Sequence, residues 1–225
     1  MDFVIFGNSK IPDLSFTIEP QRGGLFSISC TNNYVLYGGD EEYTNTIDWW
    51  FLVMNTSPDL APHTTYPDWT KARSCLQDKL LSIAQTQGER IFLQTYLEES
   101  KAQYPALIPQ TWVNWIHYNP HDVERARRVK SEPFRVDFTM YYDSRKIVIE
   151  VDGSSHFSDI LDVDTSSGRI VLEGSMSKYT EHLRKDRWLR SKGWEVWRFS
   201  EQEILEKGFN MADTLREIGV LVRSR

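Results

Sequence analysis

From residue 3 to residue 59 the apolar positions fall in short runs, 3–6, 25–29, 34–37 and 49–54. Turn pairs such as Gly23-Gly24, Asn32-Asn33 and Gly38-Gly39 separate them, and this pattern predicts a β-rich region. A Pro-containing connector leads to Asp68, a residue suited to capping a helix. Trp69, Ala72, Leu76, Leu80, Ile83 and Ala84 then follow at helical spacing. Gly88 interrupts the pattern, and a second helix starts near Glu89 with Ile91, Phe92 and Leu97. A strand is expected near 110–116. Two β-type runs, 136–142 and 146–151, flank Asp143-Ser144-Arg145 and read as a hairpin. A long polar insertion, 158–177, reads as a solvated loop, because its acids Asp159, Asp162 and Asp164 lack the glycine and terminal glutamate of a calcium loop. A helix over 178–192 ends at Gly193, where a C′ glycine belongs. A short buried-type strand spans 194–199, and Ser200 with Glu203 forms a capping box that opens a last helix.

The order hairpin, helix, strand, helix predicts an α/β fold with a mixed β-sheet flanked by helices. It divides the chain into a β-rich N-terminal region, 1–67, and an α/β domain, 68–225. The tryptophans 188, 194 and 197 are expected in the core. Of Trp49-Trp50, within a strand-like run, one must face away from the other.

The hairpin can be read further, because strand side chains alternate between faces. Burying Val136, Phe138 and Met140 together with Ile147, Ile149 and Val151 on one side requires pairing 136 with 151, 138 with 149 and 140 with 147. That register sets Asp137 opposite Glu150, with Cβ atoms roughly 4.5–5.5 Å apart. Like charges across a ladder are destabilising, so the pair needs a bound cation, a shared proton, a neighbouring arginine such as Arg135, or an edge open to solvent.

Charge adds to this picture through its distribution. The net charge of −6 argues against a phosphate-binding protein. Residues 1–70 carry nine acids against Lys10 and Arg22, a net −7, which leaves +1 for the rest. Residues 178–198 hold seven bases against Glu181, Asp186 and Glu195, a locally basic segment suited to a nucleic-acid backbone. No stretch approaches the ~18 apolar residues of a membrane span. The first residues lack a secretory-signal pattern, and Cys30 and Cys75 offer neither a disulfide framework nor a metal spacing. A cytoplasmic protein without a membrane partner is the expectation. Oligomeric state stays open, a homo-oligomer included.

The runs RVDF (135–138), KIVIEVDGSSH (146–156) and HLRKDRWLRSKGWEVWRFS (182–200) resemble the Vsr-like branch (very-short-patch-repair endonuclease-like) of the PD-(D/E)XK phosphodiesterase superfamily. Glu89 in GERIFL and the pair Pro109-Gln110 extend the resemblance upstream, to about residues 80–205. It implies a restriction-endonuclease-like fold and a metal-dependent endonuclease acting on nucleic acid, DNA more often than RNA. By the same resemblance, Asp137, Glu150 and the Val151 carbonyl bind Mg²⁺ or Mn²⁺, with Glu89 as an accessory acid. His156 corresponds to a histidine after the glycine turn, where it could carry a proton or hydrogen-bond the turn. Asp152 stands where the wider superfamily has a catalytic lysine. The missing charge is left to His156, to Lys185 on the next helix, or to a second metal. The same departure motivates an alternative, a catalytically degenerate nuclease-fold module for nucleic-acid binding or complex assembly. A third reading makes the acidic N-terminal region a cover over the basic segment.

Overall fold

The computed structural model describes residues 3–7, 13–19, 25–31, 33–37, 46–55, 69–100, 104–113, 135–164, 169–206 and 208–220. The strands are β1 (Phe3–Gly7), β2 (Asp13–Glu19), β3 (Leu25–Thr31), β4 (Asn33–Tyr37), β5 (Ile108–Trp112), β6 (Arg135–Tyr142), β7 (Arg145–Asp152), β8 (Ser158–Asp164), β9 (Arg169–Gly174) and β10 (Trp194–Ser200). The helices are α1 (Trp49–Asn55), α2 (Trp69–Ile83), α3 (Gln87–Glu99), α4 (Met176–Ser191), α5 (Glu201–Leu205) and α6 (Met211–Glu217). Six strands form a mixed sheet in the order β10-β7-β6-β5-β1-β4. Only the β10–β7 pair is parallel. The expected α/β architecture, a mixed sheet flanked by helices, is therefore present. Asp68 and the far end of the expected 110–116 strand lie outside the described residues.

Local chemistry explains where the elements start and stop. The β6–β7 turn places Asp143 and Ser144 at φ 49° and 62°, the two left-handed residues that match a two-residue hairpin loop to strand twist. Gly193 sits at φ 79° after α4, a conformation that costs glycine little. Both halves of the Ser200–Glu203 capping box form at α5. Gly88 does not interrupt a helix. It lies in the first turn of α3, which Thr86 caps, and a Cβ there would stand 2.9 Å from Glu201 Cγ and 3.0 Å from Val151 Cγ1. That close approach is what lets α3 lie against α5 and β7.

Two assignments of element type are corrected. The run 49–54 is a helix rather than a strand, because Asp48 caps it by accepting from the Phe51 N–H at 2.7 Å. Trp49, Leu52 and Val53 then bury one face at helical spacing, while Trp50 is 43% exposed. The insertion 158–177 is not a loop: β8 and β9 form an antiparallel hairpin joined directly to α4. Its pairing sets Ile160 opposite Leu172 and Val163 opposite Ile170, all exposed, so strand-forming side chains order this segment although it buries little.

The main core packs β1, β4, β5, β6 and β7 against α1, α2, α3, α5 and α6, and includes Phe6, Leu36, Leu52, Leu76, Phe92, Phe138, Ile149 and Leu215. β1 and β4 come from the N-terminal region and share the central sheet, so deleting residues 1–60 would strip core strands rather than lift off a cover. A smaller cluster on the α4 side holds Val113, Val136, Val148, Leu189 and Trp194. Trp194 is buried, whereas Trp188 and Trp197 are only partly buried against the two clusters.

The hairpin register is Phe138↔Ile149 and Met140↔Ile147, as alternation requires. The expected 136–151 pair is not formed. The ladder stops at Phe138, and Val136 pairs with Thr111 and packs in the second cluster, away from Phe138 and Val151. The neighbouring strand carries Gln110 at φ 54°, which breaks the pleat opposite Asp137. Simple period-two counting fails at that point.

Candidate metal and phosphodiester site

β7 runs parallel to β10, so their C-terminal ends lie side by side, with Glu150 beside Arg198 and Asp152 beside Ser200. On the face toward α4 the alternate positions pass from apolar to charged: Val148, Glu150 and Asp152 in β7, and Trp194, Val196 and Arg198 in β10. Helix α4 meets them with His182, Lys185, Asp186 and Leu189, a spacing of one helical face. Leu189 joins Val148 and Trp194 in the apolar cluster, and the three polar residues face the charged end.

Where the ladder stops, the Asp137 side chain takes over, its Oδ2 accepting from the Val151 N–H at 2.8 Å. Burial, then the negative charges of Glu150 and Glu89, raise the Asp137 carboxyl to about 7; the Val151 hydrogen bond and Lys185 oppose this. The charges of Glu150 and Glu89 thus both reach the Asp137 carboxyl. Glu150 is 2% exposed, and Lys185 Nζ stands 2.7 Å from its Oε1. That oxygen is buried, and the Lys185 ammonium is its charged neighbour. Lys185 also donates to the Arg135 carbonyl at 3.0 Å, which fixes its reach across the hairpin.

Glu89 is 3% exposed, not a solvated helix acid. Its Oε2 accepts from Gln85 N–H at 2.9 Å and from Gln110 Nε2 at 2.6 Å. The Gln110 Oε1 is itself buried and without a hydrogen bond. Arg135 turns its Nη2 to Gln85 Oε1 at 3.0 Å and lies over the Trp112 ring, rather than pairing with Asp137 or Glu150.

Asp152 belongs to a separate network. Arg198 donates to both of its oxygens, at 2.7 and 2.6 Å, and to Asp186 at 2.8 Å. His156 Nδ1 stands 3.0 Å from Asp152 Oδ1. Burial alone would raise the Asp152 carboxyl, but the hydrogen bonds from His156 and Arg198 outweigh it and hold the group at about 2. The same bond to Asp152 raises His156 against the effect of burial. His182 is lowered, by burial and then by the Arg198 charge, and its ring stacks on His156 at 5.3 Å between centroids. Asp152, His156 and His182 bring ligand atoms within 4.8 Å of one another. An ion there would have to displace the Arg198 guanidinium, which lies 2.6 Å from Asp152 Oδ1 and 2.8 Å from His182 Nδ1. Asp137, Glu150 and Glu89 offer the all-oxygen donor set that a hard cation prefers, but among the described residues they are spaced more widely than that trio, and Lys185 Nζ lies 2.7 Å from Glu150 Oε1.

Of the expected site residues, Asp137 contacts the Val151 N–H, Lys185 contacts Glu150, and His156 contacts Asp152, whereas Glu89 is held by Gln85 and Gln110 and reaches Asp137 through its charge alone. His182, Asp186 and Arg198 were not singled out from sequence. Their signal was present in the polar residues 182, 185 and 186 sharing a helical face with Leu189. Comparison of the chain with protein-family models, with curated proteins and with solved structures gives no match. Among the described residues, no helix is long and apolar enough to cross a membrane.

Proposed function

We propose that the protein is a metal-dependent endonuclease that hydrolyses phosphodiester bonds, with a restriction-endonuclease-like core of the PD-(D/E)XK type. The observation that carries this reading is the pair of acids at the end of the β6–β7 hairpin: Asp137 accepts from the Val151 N–H, the buried Glu150 faces Lys185 at 2.7 Å, and the charge of Glu89 reaches Asp137. Asp137, Glu150 and the Val151 carbonyl would hold Mg²⁺ or Mn²⁺, and Glu89 would assist. When bound, such an ion supplies Lewis acidity at a phosphoryl oxygen and lowers the pKa of water. Lys185 stands in for the absent motif lysine and places positive charge where the phosphate accumulates negative charge. His156, with Nδ1 tied to Asp152, keeps Nε2 as its proton-carrying nitrogen, and its raised pKa suits a general acid. Asp152 and Arg198 are positioning residues for that histidine. The exposed bases Arg184, Arg187, Arg190 and Lys192 of α4 and its end would hold the backbone. DNA is favoured over RNA because most of the resembling family acts on DNA.

A second reading, a degenerate nuclease fold used for binding or assembly, draws on one observation: Asp152 replaces the motif lysine and is itself neutralised by Arg198. Incubation with plasmid and single-stranded substrates in Mg²⁺, Mn²⁺ or chelator separates the two. Cleavage with either metal and none in chelator is expected, and intact substrate throughout leaves only the binding module. In single-turnover cleavage at saturating enzyme, Lys185→Ala and His156→Ala should each lose about 10²-fold or more. A variant that keeps the parent rate removes that residue from the chemistry.

A further inference from the structure

We propose that the cleft beside the carboxylates receives an unpaired nucleobase next to the scissile phosphodiester, which makes single-stranded or locally opened nucleic acid the substrate. The inference rests on the nuclease reading of the Asp137–Glu150 site. The cleft, of about 550 Å³, begins two residues after Glu150, and Gly153, Ser154, Phe157, Gln202, Leu205 and Glu206 are among its walls. It therefore opens at the C-terminal ends of the parallel strands β7 and β10, where sheets of this kind bind ligands. Its volume lies within the ~300–1,000 Å³ of small-molecule sites.

Two apolar side chains that folding leaves in water line this cleft. Phe157 is 40% exposed and Leu205 50% exposed. Phe157 is nevertheless held in place. Its N–H donates to the Ser154 carbonyl at 3.3 Å, its carbonyl accepts from Ser175 N–H at 2.8 Å, and its ring rests on His182 at 5.6 Å between centroids. A fixed, exposed aromatic ring is a stacking platform, and every base has a π-face to set against it. The polar part of the lining includes Glu206 and Glu201, the latter with its Oε1 already accepting from the Gly88 N–H at 3.0 Å; carboxylates there repel a phosphate and can accept from the exocyclic amino group of a base. The exposed bases lie on α4 instead, so the backbone and the base have separate, chemically opposite surfaces. A base inside a duplex has both faces covered by its neighbours, so only an unstacked base can occupy this cleft.

The test is binding of a fluorescein-labelled mixed-sequence DNA single strand, followed by anisotropy with Ca²⁺ in place of Mg²⁺. A strand of equal length with an abasic stretch serves as the second probe. Phe157→Ala should weaken binding of the base-bearing strand about tenfold or more, and Phe157→Trp should retain it. Leu205→Asp should also weaken it, while the abasic stretch should bind parent and Phe157→Ala alike. Equal binding of the base-bearing strand by parent and Phe157→Ala overturns the subsite, as does equal binding of both probes by the parent. Phe157-dependent binding without cleavage keeps the base subsite and removes the nuclease reading. Cleavage that ignores Phe157 does the opposite.

Discussion

Asp137→Asn, and separately Glu150→Gln, should lower metal-dependent cleavage by about 10³-fold or more while the protein stays folded. The Lewis-acid contribution of a bound ion is worth several kcal/mol, and each 1.36 kcal/mol is about tenfold in rate. Calorimetric titration with Mg²⁺ or Mn²⁺ should show binding to the parent and its loss in both variants. A degenerate binding module has no need of such a site, so parent protein that binds no divalent ion would sink the catalytic reading. The metal-free protein carries a second signature. Burial and the charges of Glu150 and Glu89 raise the Asp137 carboxyl to about 7, against about 3.9 for an unfolded aspartate. Between those values the folded state binds more protons than the unfolded chain. Stability in chelator should therefore decline as pH rises from about 4 to about 7, then level off. Asp137→Asn should flatten that decline. If urea titrations of the variant across this range keep the parent's slope, the repulsion among the three acids is not what the folded state carries.

Arg198→Met should be the most damaging single change to stability around the site. It leaves Asp152, nearly buried, with only His156 as a partner among the described residues, and strips Asp186 of its arginine. Removing one partner of a buried ion pair costs about 3–5 kcal/mol, because the other charge stays behind without compensation. The Arg198 side chain is partly solvated, so the lower end applies. About 3 kcal/mol corresponds to a fall in Tm of about 6–12 °C for a chain of this size. The acid limb should move as well. Asp152 is depressed to about 2, so its contribution is present above the unfolded value and lost as pH falls through about 2. Without Arg198 that loss should begin at higher pH. The double variant Arg198→Met, Asp152→Asn should recover part of the loss, since no buried charge is then left alone. A melt within 1 °C of the parent for the single variant would show that solvent, not Asp152, satisfies this arginine.

Much of this arrangement was legible in the residues themselves. Elements set by local chemistry follow from sequence: the α3 region, the Asp143-Ser144 turn, the Gly193 helix end and the Ser200–Glu203 box each depend on residues within a few positions of one another. The register 138↔149 followed for the same kind of reason, because one buried face forbids a slip of a single residue. Even so, the run 49–54 was misread, since a short apolar stretch fits strand or helix and the Asp48 cap decides. The 158–177 hairpin was also missed, because its aliphatics fall in short runs broken by acids, and a register shift between Ile160 and Asp162 removes the alternation that marks a strand.

Tertiary structure alone decided the environment of each charge. Nothing local says that Gln110 takes a left-handed conformation, ends the ladder at Phe138 and donates to Glu89 across 21 residues. Nothing local says that Lys185 reaches Glu150, or that Arg198 spans Asp152, His182 and Asp186. These contacts join β6, β7, β10, α3 and α4, and they exist because parallel pairing brings the ends of β7 and β10 together beneath one face of α4. A sequence fixes which side chains can carry charge, and local pattern fixes the face each one points to. Which charges meet, how far burial strengthens their interaction and which oxygen is left without a hydrogen bond depend on packing between distant segments.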